Sequence, residues 1–255
     1  MRRKLWQKLS DNLLPPLIVL IVLLIICQAI STWLNLTSDL ILPSPITMVQ
    51  KTVTFYKTMT GDFTMTLKNM FIGFFCSIPV SLVFAGLLAQ SRIVIKATHP
   101  IIVALAMTPF MVLVCRMQIW TDYANYSRII CVMIQTVPII TLNVLTGFTN
   151  VPPEKEELAR LYAAGKAKRF FKIVAPSALP DIFEGIRLGV MNSVLGIVST
   201  EMLIVTGGLG TRIIVACKYL QIPLVYGVIL TIAALGTALM AIVSFVEKLV
   251  MQWKE

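Results

Sequence analysis

Long stretches of this chain carry no charged residue, and that feature limits what the chain can fold into. Five such stretches are flanked by Asp11 and Asp39, Lys68 and Arg92, Lys96 and Arg116, Arg128 and Glu154, and Lys218 and Glu247. A sixth, between Arg187 and Arg212, is interrupted only by Glu201. An α-helix of about 20 apolar residues spans the hydrocarbon core of a bilayer. With 13% charged and 57% hydrophobic residues, the chain is too poor in charge to cover a soluble domain.

The sequence therefore predicts an all-α integral membrane protein with about six transmembrane helices. We place them near residues 13–33, 69–89, 99–119, 129–148, 186–206 and 224–246. A β-barrel would need short segments of alternating polarity, whereas these apolar runs are continuous. The predicted organisation is a cytoplasmic N-terminal segment (1–12), a transmembrane domain (13–250) and a C-terminal tail (251–255).

The formal net charge of +10 has its simplest explanation in the membrane rather than in a nucleic-acid partner. Cytoplasmic loops of membrane proteins are enriched in Lys and Arg. With both termini placed in the cytoplasm, the larger share of these residues falls on the inner side. We therefore expect a multi-pass membrane protein with both termini in the cytoplasm, with the lipid bilayer as its surroundings and no nucleic acid bound.

Two outer segments and one inner segment separate the predicted spans. Segment 34–67 has apolar residues at helical spacing after Pro45, which indicates a short amphipathic helix. Segment 116–128 mixes aromatic and charged residues. Segment 34–67 either docks a partner protein or is only a tethered loop. Segment 116–128 is either an interfacial aromatic belt, or a gate or partner contact.

The inner segment, residues 149–183, concentrates charge more than any other part of the sequence. Pro152 and Pro153 can begin a helix, and the acids at 154–157 suit its N-terminal end. A second short helix is predicted over 166–174, with Pro176 ending it. The segment either packs on a partner or is a solvated basic loop that only sets topology.

Catalytic and metal-binding motifs are missing from the sequence. Nothing matches G-x-x-x-x-G-K-[ST], the five cysteines have no C-x-x-C spacing, and His99 is the single histidine. We expect neither an enzyme nor a metal site nor a cofactor in this chain.

Glu201 is the one acid well inside a predicted span. A carboxylate there is costly unless it is compensated, so it either ties its helix to a neighbour or acts in the pathway or its gating. Met191, Asn192 and Ser199 precede it on the same helix and are further pathway candidates. Cations of the outer side would suit an anionic substrate or contact a delivery protein, namely Arg116, Arg128, Arg212 and Lys218.

The charged inner segment resembles the cytoplasmic EAA motif of permease subunits of binding-protein-dependent ABC importers. Residues 157–165 read E-L-A-R-L-Y-A-A-G and residues 172–180 read K-I-V-A-P-S-A-L-P. Glu157, Ala159, Ile173 and Pro176 fall on matching positions. Leu158, Ala163 and Ala175 depart from the motif, and Gly165 lies two residues late. L-P-S-P (42–45), G-I-R-L-G (185–189), Glu201 with Met202, G-L-G (208–210) and Trp253 also resemble the nitrate, sulfonate and taurine branch.

The resemblance implies the fold of a type I ABC importer permease and its partners: a dimer of ABC ATPase subunits that binds ATP and Mg, a second permease copy, and an extracellular or periplasmic substrate-binding protein. It also implies an ATPase-coupling role for part of the inner segment, namely Glu157, Ala159, Arg160, Ala163, Gly165, Ile173 and Pro176. The expected substrate is a small organic or inorganic anion or a vitamin-precursor-like solute. The alternative is a stand-alone secondary transporter or channel.

Overall fold

The computed structural model describes residues 22, 25, 26, 28, 29, 43–108, 110–120, 124–155, 157 and 165–251. Regular structure within these residues is helical. The helices are α1 (Pro45–Leu88), α2 (Arg92–Met107), α3 (Phe110–Trp120), α4 (Ala124–Thr149), α5 (Lys166–Arg169), a π-helical turn (Phe170–Val174), α6 (Ala175–Ile204), α7 (Leu209–Lys218) and α8 (Ile222–Val250).

The predicted all-helical membrane architecture is confirmed. Within the described part of the chain, four helical stretches are long and apolar enough to cross a bilayer: Met59–Leu88, Tyr126–Thr149, Ala167–Ile204 and Ile222–Val250. They contain most or all of the spans predicted near 69–89, 129–148, 186–206 and 224–246. The first predicted span, 13–33, lies outside the described residues except for five helical positions. The count of about six spans therefore stays a prediction.

The span predicted near 99–119 is not one continuous helix. It consists of two helices, Ile93–Met107 and Met111–Met117, bent by 85°. Thr108 ends the first of them in an extended conformation, with φ −65° and ψ 131°. Thr108 precedes Pro109 in the sequence, and a residue before proline is driven out of the helical region by the proline ring.

The outer segment predicted over 34–67 is helical from residue 45 onward. Ser44 caps α1 by accepting a hydrogen bond from the Thr47 amide at 3.2 Å, and Pro45 occupies the first helical position. The predicted short amphipathic helix does not end before the span but continues into it. Gly61 is a weak interruption, since a glycine costs a helix only about 1 kcal/mol.

Pro176 does not end the helix that begins at Lys166, contrary to the prediction. A proline inside an α-helix lacks the amide proton and clashes with the carbonyl group four residues earlier. Here the preceding turn is a π-helix, in which the Ala175 amide donates to the Phe170 carbonyl. This wider turn takes the place of regular α-helical geometry just before the proline, and α6 then continues to Ile204.

The described residues fall into two compact units. The first comprises residues up to Thr60 together with Ile213–Leu230. Within it, the start of α8 lies against the start of α1 at Gly227, where a side chain would overlap Thr52. Val228 and Met59 are among its buried apolar residues.

The second unit, Gly61–Arg212 with Thr231–Glu255, is built around the packing of α6 on α4. Buried small residues recur on α6 every three or four positions, namely Gly185, Gly189, Ser193, Gly196 and Thr200. A Cβ atom at Gly185 would come within 2.8 Å of the Asn143 Cβ. Such small-residue stripes let membrane helices approach closely, because lipid provides no hydrophobic drive for association.

Apolar side chains from four helices complete this unit. Phe74 of α1, Val132 of α4, Ile197 of α6 and Leu239 of α8 belong to one buried cluster. Arg187 of α6 also forms an ion pair with Glu247 of α8. The unit therefore holds α6 on several sides.

Gly185→Ala should destabilise the protein, because the added methyl group meets α4 at a distance that real Cβ contacts do not reach. Overpacking of this kind costs about 1–3 kcal/mol. Gly86→Ala on α1 is the matched control, since its Cβ would meet no atom within 4 Å. Thermal unfolding in detergent measures both variants. A Gly185→Ala melting temperature equal to that of Gly86→Ala would contradict the packing.

Candidate functional site

Glu201 lies near the C-terminal end of α6 with its side chain fully buried. Its carboxylate accepts a hydrogen bond from the hydroxyl group of Thr66 on α1, with distances of 2.8 and 2.9 Å to the two oxygens. One of those oxygens also accepts from the Gly210 amide at 3.0 Å. A carboxylate held away from water needs such donors, because its desolvation is otherwise uncompensated.

Thr66 connects Glu201 to the beginning of α7. Its hydroxyl oxygen accepts a hydrogen bond from the Leu209 amide at 2.9 Å while its proton is directed at the carboxylate. Thr66 itself is buried, with 2% of its surface exposed. One hydroxyl group therefore joins α1, α6 and α7.

A tight turn over residues 205–208 links α6 to α7. Val205 is left-handed with φ 47°, and Gly207 and Gly208 have φ values of 119° and 98°. Only glycine adopts such angles at low cost, and a side chain at Gly208 would also overlap the Glu201 carboxylate. Gly210 must also lack a side chain, because a Cβ atom added there would overlap the Val198 carbonyl oxygen.

Arg128 of α4 is fully buried beside this turn. Its guanidinium donates to the Thr206 hydroxyl at 2.7 Å and to the Gly207 carbonyl at 3.1 Å. Planar guanidinium groups suit such fixed multiple contacts. Arg128 therefore secures the turn from the side of α4.

Asp62 of α1 supplies the second carboxylate. It accepts a hydrogen bond from the Gly208 amide at 2.9 Å and forms an ion pair with Arg212 of α7. We name Asp62, Thr66, Arg128, Glu201 and Arg212 the polar cluster. It contains two acids and two arginines, so its formal charges cancel, which lowers the cost of keeping them in an apolar bundle.

The polar cluster occupies the N-terminal end of α7. The amides of Gly208, Leu209 and Gly210 donate to Asp62, Thr66 and Glu201 respectively. Helix N-termini attract anions because their amides lack partners within the helix. In this protein the chain's own side chains already fill those three positions.

Two of the other pathway candidates on α6, Met191 and Asn192, lie apart from this cluster. Asn192 and Met191 precede Glu201 by more than two helical turns, roughly 14 Å along the axis. Asn192 is half-buried and donates to the Leu188 carbonyl of its own helix at 2.9 Å. Met191 is 52% exposed, and Ser199 is half-buried.

The predicted coupling residues are partly described. Glu157 and Gly165 are exposed, and Ile173 and Pro176 are half-buried at the π-helical turn and the start of α6. Ala159, Arg160 and Ala163 lie outside the described residues. Lys155 donates to the Ser177 hydroxyl at 3.1 Å, so the segment before Glu157 contacts the start of α6.

Sequence reasoning found Glu201 but not its partners. Arg128 and Arg212 were expected to face an anionic substrate or a delivery protein, whereas in the structure they bind the turn and Asp62. The glycine-rich pattern at 207–210 was the available signal, because it predicts a tight turn with close backbone approach. Among the described residues, no group of three or more His, Cys, Asp or Glu side chains could hold a metal ion.

Residues 77–252 match the family model described as binding-protein-dependent transport system inner membrane component. The chain belongs to this family, whose members are the permease subunits of ABC importers. The fold agrees with a crystal structure of an amino acid ABC transporter with histidines, at a TM-score of 0.59 and 17% identity, over 80% of this chain and 97% of that one.

Several curated permeases are similar along nearly their whole length. The formylaminopyrimidine transport permease protein ThiX of Halalkalibacterium halodurans is 26% identical, covering 98% of this chain and 99% of the relative. The nitrate import permease protein NrtB of Synechocystis sp. is 25% identical over 94% and 90%. The putative aliphatic sulfonates transport permease protein SsuC of Bacillus subtilis is 24% identical over 99% and 90%. The predicted resemblance to the nitrate and sulfonate branch is confirmed.

Thr66→Val should destabilise the protein by about 1–3 kcal/mol, because it removes the hydroxyl group and leaves Glu201 and the Leu209 amide each short of a partner. Thr64→Val, two residues away at an exposed position, is the control and should unfold like the wild type. Thermal unfolding in detergent measures the difference. Equal melting temperatures for the two variants would show that the hydroxyl group does not hold the cluster together.

Proposed function

We propose that the chain lines the substrate pathway of an ATP-driven importer and is moved by a separate ATPase through residues 149–183. One observation carries this proposal. The helix that leaves the charged segment is the same helix that ends in the polar cluster, because α5, the π-helical turn and α6 follow one another without a break.

We call this continuous helix, from Lys166 to Ile204, the lever. It is long, and other helices hold its far end, so it can transmit a displacement from one end to the other. The apolar stretch Ala167–Ile204 has 38 residues, which at about 1.5 Å per residue gives roughly 57 Å. At its far end, Glu201 is bound to α1 and α7. A displacement applied near Gly165 would therefore act on the turn at 205–208 through a helix rather than through a flexible loop.

The coupling residues have distinct proposed roles. Glu157, exposed and helical, pairs with a cation of the ATPase. Ala159 and Ala163 permit close approach, since larger side chains would overpack the contact. Arg160 and Gly165 complete the contact surface, and Ile173 and Pro176 fix the entry into α6.

The assembly that follows has a second copy of this permease, two ATPase subunits that bind ATP and Mg, and an extracellular or periplasmic binding protein. Both termini lie in the cytoplasm of a bacterial cell with this protein in its inner membrane. ATP binding acts by its different affinity for the inward-open and outward-open states, since only differential binding shifts such an equilibrium. Family membership favours this importer over a stand-alone secondary transporter.

The proposed substrate is a small organic or inorganic anion or a vitamin-precursor-like solute. The names of the relatives support this range: formylaminopyrimidine, nitrate and aliphatic sulfonates. Arg128 and Arg212 no longer argue for an anion, because Arg128 binds the turn at 205–208 and Arg212 pairs with Asp62. Uptake of labelled nitrate, sulfonates and pyrimidines by cells that express the complete transporter discriminates between these classes.

Glu157→Lys should reduce uptake by roughly tenfold or more, because reversal of a charge at a docked interface leaves two like charges together. The variant should still insert and retain its melting temperature, since Glu157 is exposed. Glu154→Lys is the matched control, an exposed acid three residues earlier and outside the matching positions. Normal uptake by Glu157→Lys, or equal losses in both variants, would contradict the assigned coupling role.

Glu201→Gln should change the uptake rate if the carboxylate takes part in gating, because an amide cannot reproduce two acceptor oxygens. The measurement is uptake per copy of inserted protein, with Asn192→Asp as a comparison that alters a different polar group on α6. Unchanged uptake by Glu201→Gln would leave the residue with a structural role only.

A further inference from the structure

A pocket of about 680 Å³ lies beside the start of the lever and away from the polar cluster. Its apolar wall comes from the end of α1, with Val83, Gly86 and Leu87. The opposite wall comes from the segment that leads into α6, with Arg169, Phe170 and Val174. All of these residues belong to the second compact unit. The volume falls within the range of about 300–1,000 Å³ that is typical of small-molecule sites.

Aromatic rings close one side of this pocket. Phe148 of α4 and Phe170 pack edge to face with 5.3 Å between ring centroids, and Phe170 packs in the same way on Phe171. Phe171 is 72% exposed. Phe170, Phe171 and Val174 all belong to the π-helical turn, and π-turns inside longer helices occur frequently at functional sites.

The charge at this pocket is positive. Arg169 lines the pocket, and Lys168 and Lys172 lie close to Arg169 in the sequence. The sequence contains no acid between Glu157 and Asp181. A ligand that meets this wall therefore gains from a negative charge.

An apolar strip continues from the pocket along the surface of α1. Val83 and Leu87, one helical turn apart, are 63% and 59% exposed, and Val80 extends the strip at 45%. Residues three and four positions apart share one helix face. The strip runs along the candidate membrane span Met59–Leu88, so it offers hydrocarbon a path that starts at the pocket.

We propose that this pocket binds one anionic phospholipid. The phosphate lies against Arg169, the glycerol region occupies the space over Gly86, and one acyl chain follows Val83 and Val80. A basic residue beside an apolar, aromatic surface is the combination that recognises such a lipid. A soluble subunit would account for the cation but not for the exposed apolar strip that leads away from it. Bound at the base of the lever, the lipid stabilises one position of α5 relative to α1 and α4.

The test measures phospholipid retained by the purified protein. Wild type and variants are placed in nanodiscs that contain phosphatidylcholine with a small fraction of phosphatidylglycerol, extracted with a neutral detergent, and examined by native mass spectrometry. Wild type should retain phosphatidylglycerol in preference to phosphatidylcholine. Arg169→Gln should reduce that preference roughly fivefold, as expected for one basic residue near an anionic lipid surface. Arg169→Lys should keep most of it.

Gly86→Leu blocks the pocket without changing its charge. A Cβ at Gly86 meets no atom within 4 Å, so the larger side chain projects into the open space. It should reduce retention of both lipids. Gly61→Leu, at an equally open position of α1, and Lys248→Gln, an exposed cation of α8, are the matched controls and should retain lipid like the wild type.

Three results would overturn the proposal. The first is that wild type shows no preference for phosphatidylglycerol, or that Arg169→Gln keeps it fully. The second is displacement of the retained lipid by inorganic phosphate alone, which would indicate a site for free anions. The third is that Gly86→Leu leaves lipid retention unchanged but weakens co-purification of the ATPase, which would assign the pocket to that partner. If Gly86→Leu does not fold, the comparison of Arg169→Gln with Arg169→Lys decides the question.

Discussion

The structure depends on the compensation of one carboxylate inside the helical bundle. Glu201 has no access to water, so its desolvation must be offset by donors of the protein itself. Those donors are the Thr66 hydroxyl and the Gly210 amide, and they can reach it only if α1, α6 and the turn at 205–208 keep fixed relative positions. The glycines of that turn follow from the same constraint, since a side chain at Gly208 would occupy the place of the carboxylate.

The two ends of the proposed lever differ in their surroundings. The end at Ile204 is bound to neighbouring helices through the polar cluster. The end at Lys166 follows the exposed Gly165, and it contains the π-helical turn that precedes Pro176. A buried polar network whose members all have partners makes the elements that it joins rigid, so the turn at 205–208 is held in one defined arrangement against α1 and α4.

Much of the fold could be predicted from the sequence, because the signal for a membrane span is local. The charge-free stretches predicted the spans now seen in α1, α4, α6 and α8. The effect of Pro176 was predicted wrongly, since this residue was expected to end a helix that in fact continues to Ile204. A proline restricts only its own neighbourhood, and packing decides whether the helix then breaks or forms a π-turn.

The polar cluster could not be predicted for a different reason. Glu201 was recognisable as a buried acid, but Thr66 lies 135 residues away in the sequence and Asp62 lies 150 residues from Arg212.

Hydrogen-deuterium exchange of residues 205–211 in the assembled transporter tests the central claim most directly. We predict that nucleotide binding to the ATPase changes the protection of the Gly208, Leu209 and Gly210 amides, and that Glu157→Lys abolishes the change. Identical protection with and without nucleotide would contradict a lever that ends in this cluster.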